Sequence, residues 1–208
     1  MAVVEKEKKS VNKASNKEKV KIPKQLIYEM RKGKPIYYRD YDKVIKGEKS
    51  LEEVMGSSKL QSWIIDLIVF FLHQNIDRKK YKVLYNEIGF KISSNTWRNL
   101  DIAIFDKTKL LEEGIDNKYV KTPPEVVIEI DTKADLKKYG DMLNYMKEKT
   151  QDLLDAGVKR VIWLTTSDKK VMVAEKGKRW FITDWNDTIE IIEDLQLNID
   201  EILKEEIK

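Results

Sequence analysis

Apolar residues first recur at regular spacing beyond Pro23. Residues 24–31 carry Leu26, Ile27 and Met30 and predict a short helix, ended by Gly33 and Pro35, after which Ile36-Tyr37-Tyr38 reads as extended. A surface helix and loop are expected over 40–55, closed by Gly56-Ser57-Ser58, where either serine supplies a helix N-cap. The strongest pattern follows: Leu60, Trp63, Ile64, Leu67, Ile68, Phe71 and Leu72 lie at helical spacing, and Val69 and Phe70 widen the stripe. It predicts a helix over about 58–75 packed on a sheet, with His73 in its last turn. Strands are expected at 81–92, 100–105 and 125–131, with a polar connection over 106–122 that runs into Pro123-Pro124. A second helix over about 135–155 stops at Gly157, a natural C′ residue. Strands at 160–165, 170–175 and 179–183 and a short helix near 198–205 complete the pattern. This order predicts an α/β or α+β architecture around one mixed sheet.

Two of these strands carry acids within apolar runs. Alternation puts Leu100, Ile102 and Ile104 on one face of their strand and Asp101, Ala103 and Phe105 on the other. In 125–131, Val126, Ile128 and Ile130 share a face opposite Val127, Glu129 and Asp131. A buried carboxylate is costly unless it is paired or binds a metal, and two of them suit an oxygen-preferring cation such as Mg²⁺. On the second helix, Met142, Met146 and Leu153 mark the inward side, and Lys149 falls among them. The plainer alternatives are that Asp101 caps a strand, that Glu129 and Lys149 form a salt bridge, and that Lys149 snorkels outward.

Composition narrows the chemistry. The 208 residues contain no Cys and a single His, which excludes disulfides, thiol nucleophiles and Cys-ligated zinc, and leaves catalysis to carboxylates, lysines and an oxygen-ligated metal. There is no P-loop, G-x-G-x-x-G or G-x-S-x-G motif. Residues 1–25 hold eight Lys and three Glu, or +5 of a net +4, so the remaining chain is close to neutral at −1. The basicity therefore belongs to a tail, over 1–22, expected to be disordered and able to hold phosphates nonspecifically, followed by one domain over 23–208. No signal-peptide or membrane-spanning run is present, which points to the cytoplasm. Trp163, Trp180 and Trp185 serve either as core filler or as faces for stacking on bases.

Taken in order, Asn99-Leu100-Asp101-Ile102-Ala103-Ile104, then Pro124-Glu125-Val126-Val127-Ile128-Glu129-Ile130-Asp131, then Lys149 with Ala156-Gly157-Val158 and Val161-Ile162-Trp163, resemble the Uma family of restriction-endonuclease-like proteins, within the PD-(D/E)xK nuclease superfamily. The resemblance covers about residues 26–185. Leu100 stands where the family has Pro, and Leu153 where its helix has Tyr. Asp131 stands where the superfamily has its E-x-K lysine, and Lys59 or Gln61 lies near the place of an absent His.

The resemblance implies a restriction-endonuclease-like mixed sheet flanked by helices and a Mg²⁺- or Mn²⁺-dependent endonuclease acting on DNA. Asp101 and Glu129 would ligate the metal with the backbone carbonyl of Ile130, and Lys149 would orient the attacking water. Lys133, four residues past Glu129, is a rival for the lysine role. Glu87, on the preceding strand, and Glu29, on the first helix, are further acids for a second metal, or solvated and salt-bridged surface groups. A homodimer is implied only by analogy with folds that cut two strands. Two other readings stand beside this one: an inactive nuclease-like fold that binds nucleic acid or a partner protein, and an interaction protein whose acids form internal ion pairs.

Overall fold

The computed structural model describes residues 22–206, so the Lys-rich segment 1–21 lies outside the described residues. The 3₁₀ turn Lys24–Leu26 leads into β1 (Ile27–Arg31), which pairs antiparallel with β2 (Lys34–Tyr37). This corrects the helix expected over 24–31. Lys32 and Gly33, at φ 48° and 74°, form the two-residue left-handed turn that closes a hairpin, so Gly33 turns a strand instead of ending a helix. Two short helices, α1 (Tyr41–Ile45) and α2 (Leu51–Met55), precede α3 (Lys59–Asn75), whose cap is the Ser58 hydroxyl accepting from the Gln61 N–H.

After α3 come β3 (Tyr81–Ser93), β4 (Thr96–Asp106), α4 (Lys107–Glu113), β5 (Val126–Ile130), α5 (Met142–Asp155), β6 (Arg160–Thr165), β7 (Lys170–Glu175) and β8 (Phe181–Asp184). The hairpin β9 (Ile189–Ile192) and β10 (Leu195–Leu197) and α6 (Ile199–Glu206) follow. α4 interrupts what reads as a polar connection, because Asp106 accepts from the N–H groups of Thr108 and Lys109 and starts a turn of helix. The β9–β10 hairpin carries no strand signal strong enough to have been expected.

The main sheet runs β2-β1-β4-β5-β6-β7-β8, with β3 paired to β4. β3 occupies one edge of β4 along its length, so the other edge is shared: Trp97 faces β1, and Ile102 to Ile104 face β5. β5 and β6 are parallel and the other pairs antiparallel. This is the mixed sheet flanked by helices, of restriction-endonuclease-like type, that the sequence leads one to expect.

Each face of the sheet carries its own core. On one, Ile64, Ile68 and Leu72 of α3 pack with Ile102, Ile104, Ile128, Ile162 and Trp185. On the other, Tyr145, Met146 and Leu153 of α5 pack with Ala103, Phe105, Val127, Val161 and Trp163. Burial of each large aliphatic side chain contributes about 1.5–3 kcal/mol. Leu100 packs with the α5 side, not with Ile102 and Ile104 as alternation suggests; the pairing slips beside it, where β3 bulges between Tyr85 and Ile88. Leu60, Trp63 and Phe70 of α3 are exposed, since the sheet covers only the face centred on Ile68. Trp163 and Trp185 are buried, which removes them as base-stacking surfaces. No helix among the described residues is long and apolar enough to cross a membrane.

Candidate active site

The shared edge of β4 leaves a fork between β1 and β5, and polar groups fill it. β4 and β5 pair Ile102 with Ile128 and Ala103 with Val127, and continuing that register sets Asp101 opposite Glu129. Asp101 Oδ2 accepts the Ile130 N–H at 2.8 Å, which ties the two acidic strands together. From α5, Lys149 enters with no exposed surface. Its Nζ donates to Glu129 Oε2 at 2.9 Å and to the Asn99 carbonyl at 2.6 Å, and lies 3.0 Å from Glu29 Oε1. The Glu129–Lys149 salt bridge read as a plain alternative is therefore present, and an outward-snorkelling Lys149 is not.

Glu29 is a correction on two counts. It sits on β1 instead of a helix, and it is wholly buried instead of solvated. Its carboxylate faces four donors: Lys149 and the Asn99 N–H (3.2 Å) at Oε1, Arg98 Nη1 (2.7 Å) and the Tyr145 hydroxyl (2.8 Å) at Oε2. Arg98 continues to Asp152 Oδ2 at 2.5 Å and Glu148 Oε1 at 3.4 Å, and Arg31 pairs with the same two acids. Arg98, Asn99, Tyr145 and Asp152 were not anticipated. The one signal for them is a charged and an amide residue, Arg98-Asn99, inside a strand directly before Asp101.

Glu129 is placed very differently from Glu29. One oxygen holds Lys149; the other, Oε1, is buried and has no hydrogen-bond partner among the described residues. Three cations, Arg31, Arg98 and Lys149, face five carboxylates, Glu29, Asp101, Glu129, Glu148 and Asp152. Burial raises the Glu29 carboxyl, but Lys149 and Arg98 outweigh it and hold it below its ordinary value. Burial pushes Glu129 well up, Lys149 offsets only part of this, and Asp101 and Glu29 add to it. Asp101 is pushed up to about 6 by burial, against the Ile130 N–H and the charges of Lys149 and Lys133. Burial lowers Lys149, yet Glu129, Glu29 and Asp101 more than restore it. Excess negative charge thus concentrates at Asp101 and Glu129, the condition under which a carboxylate pair takes a proton or a cation.

Outward from this pair, Asp101 lines a cleft of about 470 Å³ together with Ser62, Tyr85, Asn86, Glu87 and Lys133. Lys133 and Glu87 form an ion pair across it. Asp131 is not part of this grouping: at φ 54° it turns away and accepts from Thr166 N and Oγ1 at 2.9 and 2.6 Å. The Ile130 carbonyl accepts from Gln61 Nε2 at 2.7 Å, so α3 holds that oxygen in place through one of its two lone pairs.

No group of three or more His, Asp or Glu side chains among the described residues is arranged to hold a metal. The donor set that does fit a hard cation is smaller: Glu129 Oε1 without a partner, Asp101 with one oxygen engaged by Ile130, and the Ile130 carbonyl with a lone pair free. Three protein oxygens, with waters completing the shell, is the habit of Mg²⁺.

No protein-family model and no curated protein matches the chain. Among solved structures, one described as "a putative nuclease belonging to DUF820", from Anabaena variabilis, superposes with a TM-score of 0.63 at 15% sequence identity. The match covers 85% of this chain and 89% of that one. At that identity the likeness is one of fold.

Proposed function

We propose that the chain is a divalent-metal-dependent endonuclease that hydrolyses DNA phosphodiester bonds. The observation that carries this reading is Glu129 Oε1, a buried, partnerless acceptor paired with Asp101 beneath a cleft, in a cluster with more carboxylates than cations. The Uma-type order of motifs in the sequence and the fold shared with a protein described as "a putative nuclease" support it.

In this reading Asp101, Glu129 and the Ile130 carbonyl hold Mg²⁺ or Mn²⁺. When bound, the ion supplies charge stabilisation at the phosphodiester undergoing attack. The remaining work falls to the chain. The Ile130 N–H orients Asp101, and Gln61 orients the Ile130 carbonyl. Lys149, with its three N–H groups directed at Asn99, Glu129 and Glu29, keeps Glu129 aimed and favours its charged form against the cost of burial. That is a holding role; the water-orienting role that the family resemblance implies for Lys149 needs an N–H that is already engaged.

The full engagement of Lys149 also favours a second reading, a nuclease-like module that binds without cutting. Nicking of supercoiled plasmid DNA distinguishes the two. The parent is expected to nick with Mg²⁺ or Mn²⁺ and to stop with EDTA, and Asp101→Asn and Glu129→Gln are each expected to lose at least about a hundredfold. Plasmid retained in a complex but left intact by the parent with either metal overturns the enzyme reading.

A further inference from the structure

The cleft over Asp101 is spanned by a single ion pair whose two partners are both fixed by the backbone. The Lys133 carbonyl accepts the Arg39 N–H at 2.6 Å, and the next residue, Ala134, bridges to Tyr38, so the main chain at Lys133 is anchored while its ammonium sits on a flexible stem. Glu87 stands in the β3 bulge, where Asn86 and Glu87 take two consecutive left-handed conformations, φ 79° and 54°. An L-residue adopts that conformation at a cost, and such strain gathers at sites of function. The bulge lies against the Leu100-Asp101-Ile102 stretch of β4 and turns Glu87 toward Asp101 and Lys133.

The neighbouring cations are committed. Lys149 could offer an N–H to a ligand only by giving up Glu129, Glu29 or the buried Asn99 carbonyl, and Arg98 is divided among Glu29, Asp152 and Glu148. Lys133 differs from both. Its single carboxylate partner keeps 28% of its side chain exposed, so water can take over when the lysine leaves.

We propose that Lys133 is the residue that meets a phosphodiester oxygen of the substrate, with Glu87 as the counter-ion it leaves when that phosphate enters the cleft. The nature of the anion rests on the nuclease reading; the exchange itself rests on the geometry of the pair. An ammonium trading one oxyanion for another keeps its charge compensated throughout, and a lysine serves phosphate as a point charge.

The test uses the full chain with Ca²⁺ in place of Mg²⁺ and a short fluorescein-labelled DNA duplex followed by anisotropy at several salt concentrations. Lys133→Gln is expected to weaken binding roughly fivefold and to lower the salt slope by about 1. Lys133→Arg is expected to restore most of the loss, and Glu87→Gln to tighten binding about twofold or more by freeing the lysine. The double variant is expected to match Lys133→Gln, because Glu87 acts through Lys133. A merely structural ion pair would instead make both single variants melt earlier and move binding in the same direction. Equal affinity of parent and Lys133→Gln, or a double variant that adds the two single effects, overturns the proposal. Calorimetry with Mn²⁺ on the parent separates this from failure of the nuclease reading. Mn²⁺ uptake with no effect of Lys133→Gln sinks the Lys133 assignment alone, whereas no Mn²⁺ uptake sinks the nuclease reading and leaves the Lys133 assignment to stand or fall on the binding series.

Discussion

Glu29 and Glu129 share Lys149, and the contrast between them defines the site. Four donors saturate Glu29, which makes it part of the scaffold; one donor serves Glu129, which leaves it able to take a ligand. Asp101, beside it, titrates in an accessible range. Its carboxyl lies at about 6 in the fold against an ordinary 3.8, chiefly through burial. Between about pH 4 and 6 the folded chain therefore keeps a proton that the unfolded chain has released, and stability falls as pH rises through that window. For this shift the loss is on the order of 3 kcal/mol. The melting temperature of the metal-free parent is expected to decline across the window relative to Asp101→Asn, which has no carboxyl there to titrate. Parallel curves for the two proteins would contradict the buried, metal-free state of Asp101. At this scale the sequence was informative: Asp101, Glu129 and Lys149 were each legible as polar residues at inward positions. Glu29 and Arg98 were not, since a charge inside a short strand resembles a surface position until its partner, 69 residues away, is known.

Elements with long, one-sided patterns were readable, and those defined by a turn were not. α3 and strands β3 and β5 to β7 appear close to their expected bounds because burial on one or both faces imposes the pattern on the sequence. β4 instead begins earlier, at Thr96, and α5 begins only at Met142, capped by Asp141, with Leu136–Lys138 a separate 3₁₀ turn ended at the left-handed Gly140. β1 was misread because Leu26, Ile27 and Met30 also fit a helical spacing, and only pairing with β2 and β4 decides between the two. Gly157 shows a local signal that held. It ends α5 at φ +103°, and a Cβ there would lie 3.2 Å from the Pro123 ring. Gly177 has a similar left-handed φ of +75° but open space around it. Gly157→Ala is expected to cost about 1 kcal/mol or more, or roughly 2–4 °C in melting temperature, and to exceed the cost of Gly177→Ala. Equal melting of the two variants would show that crowding of the new Cβ against Pro123 contributes nothing.

Across the whole molecule, the site lies where one strand changes neighbours. β4 gives its edge first to β1 and then to β5, and the fork between them admits Lys149 from α5 on one side while Asp101 opens to the cleft on the other. No linear pattern announces such a fork, because it depends on three strands and a helix meeting. The near-neutral charge beyond residue 25 fits this arrangement, with negative charge collected at Asp101 and Glu129 and no broad basic face needed to offset it. The central claim is that this collected charge holds a divalent cation. Calorimetric titration of Mn²⁺ into the parent, Asp101→Asn and Glu129→Gln near neutral pH tests it most directly, with circular dichroism to establish that all three are folded. The account predicts one Mn²⁺ bound by the parent and affinity lowered about tenfold or more in each variant. No binding by the folded parent, or binding that survives both substitutions, would contradict it.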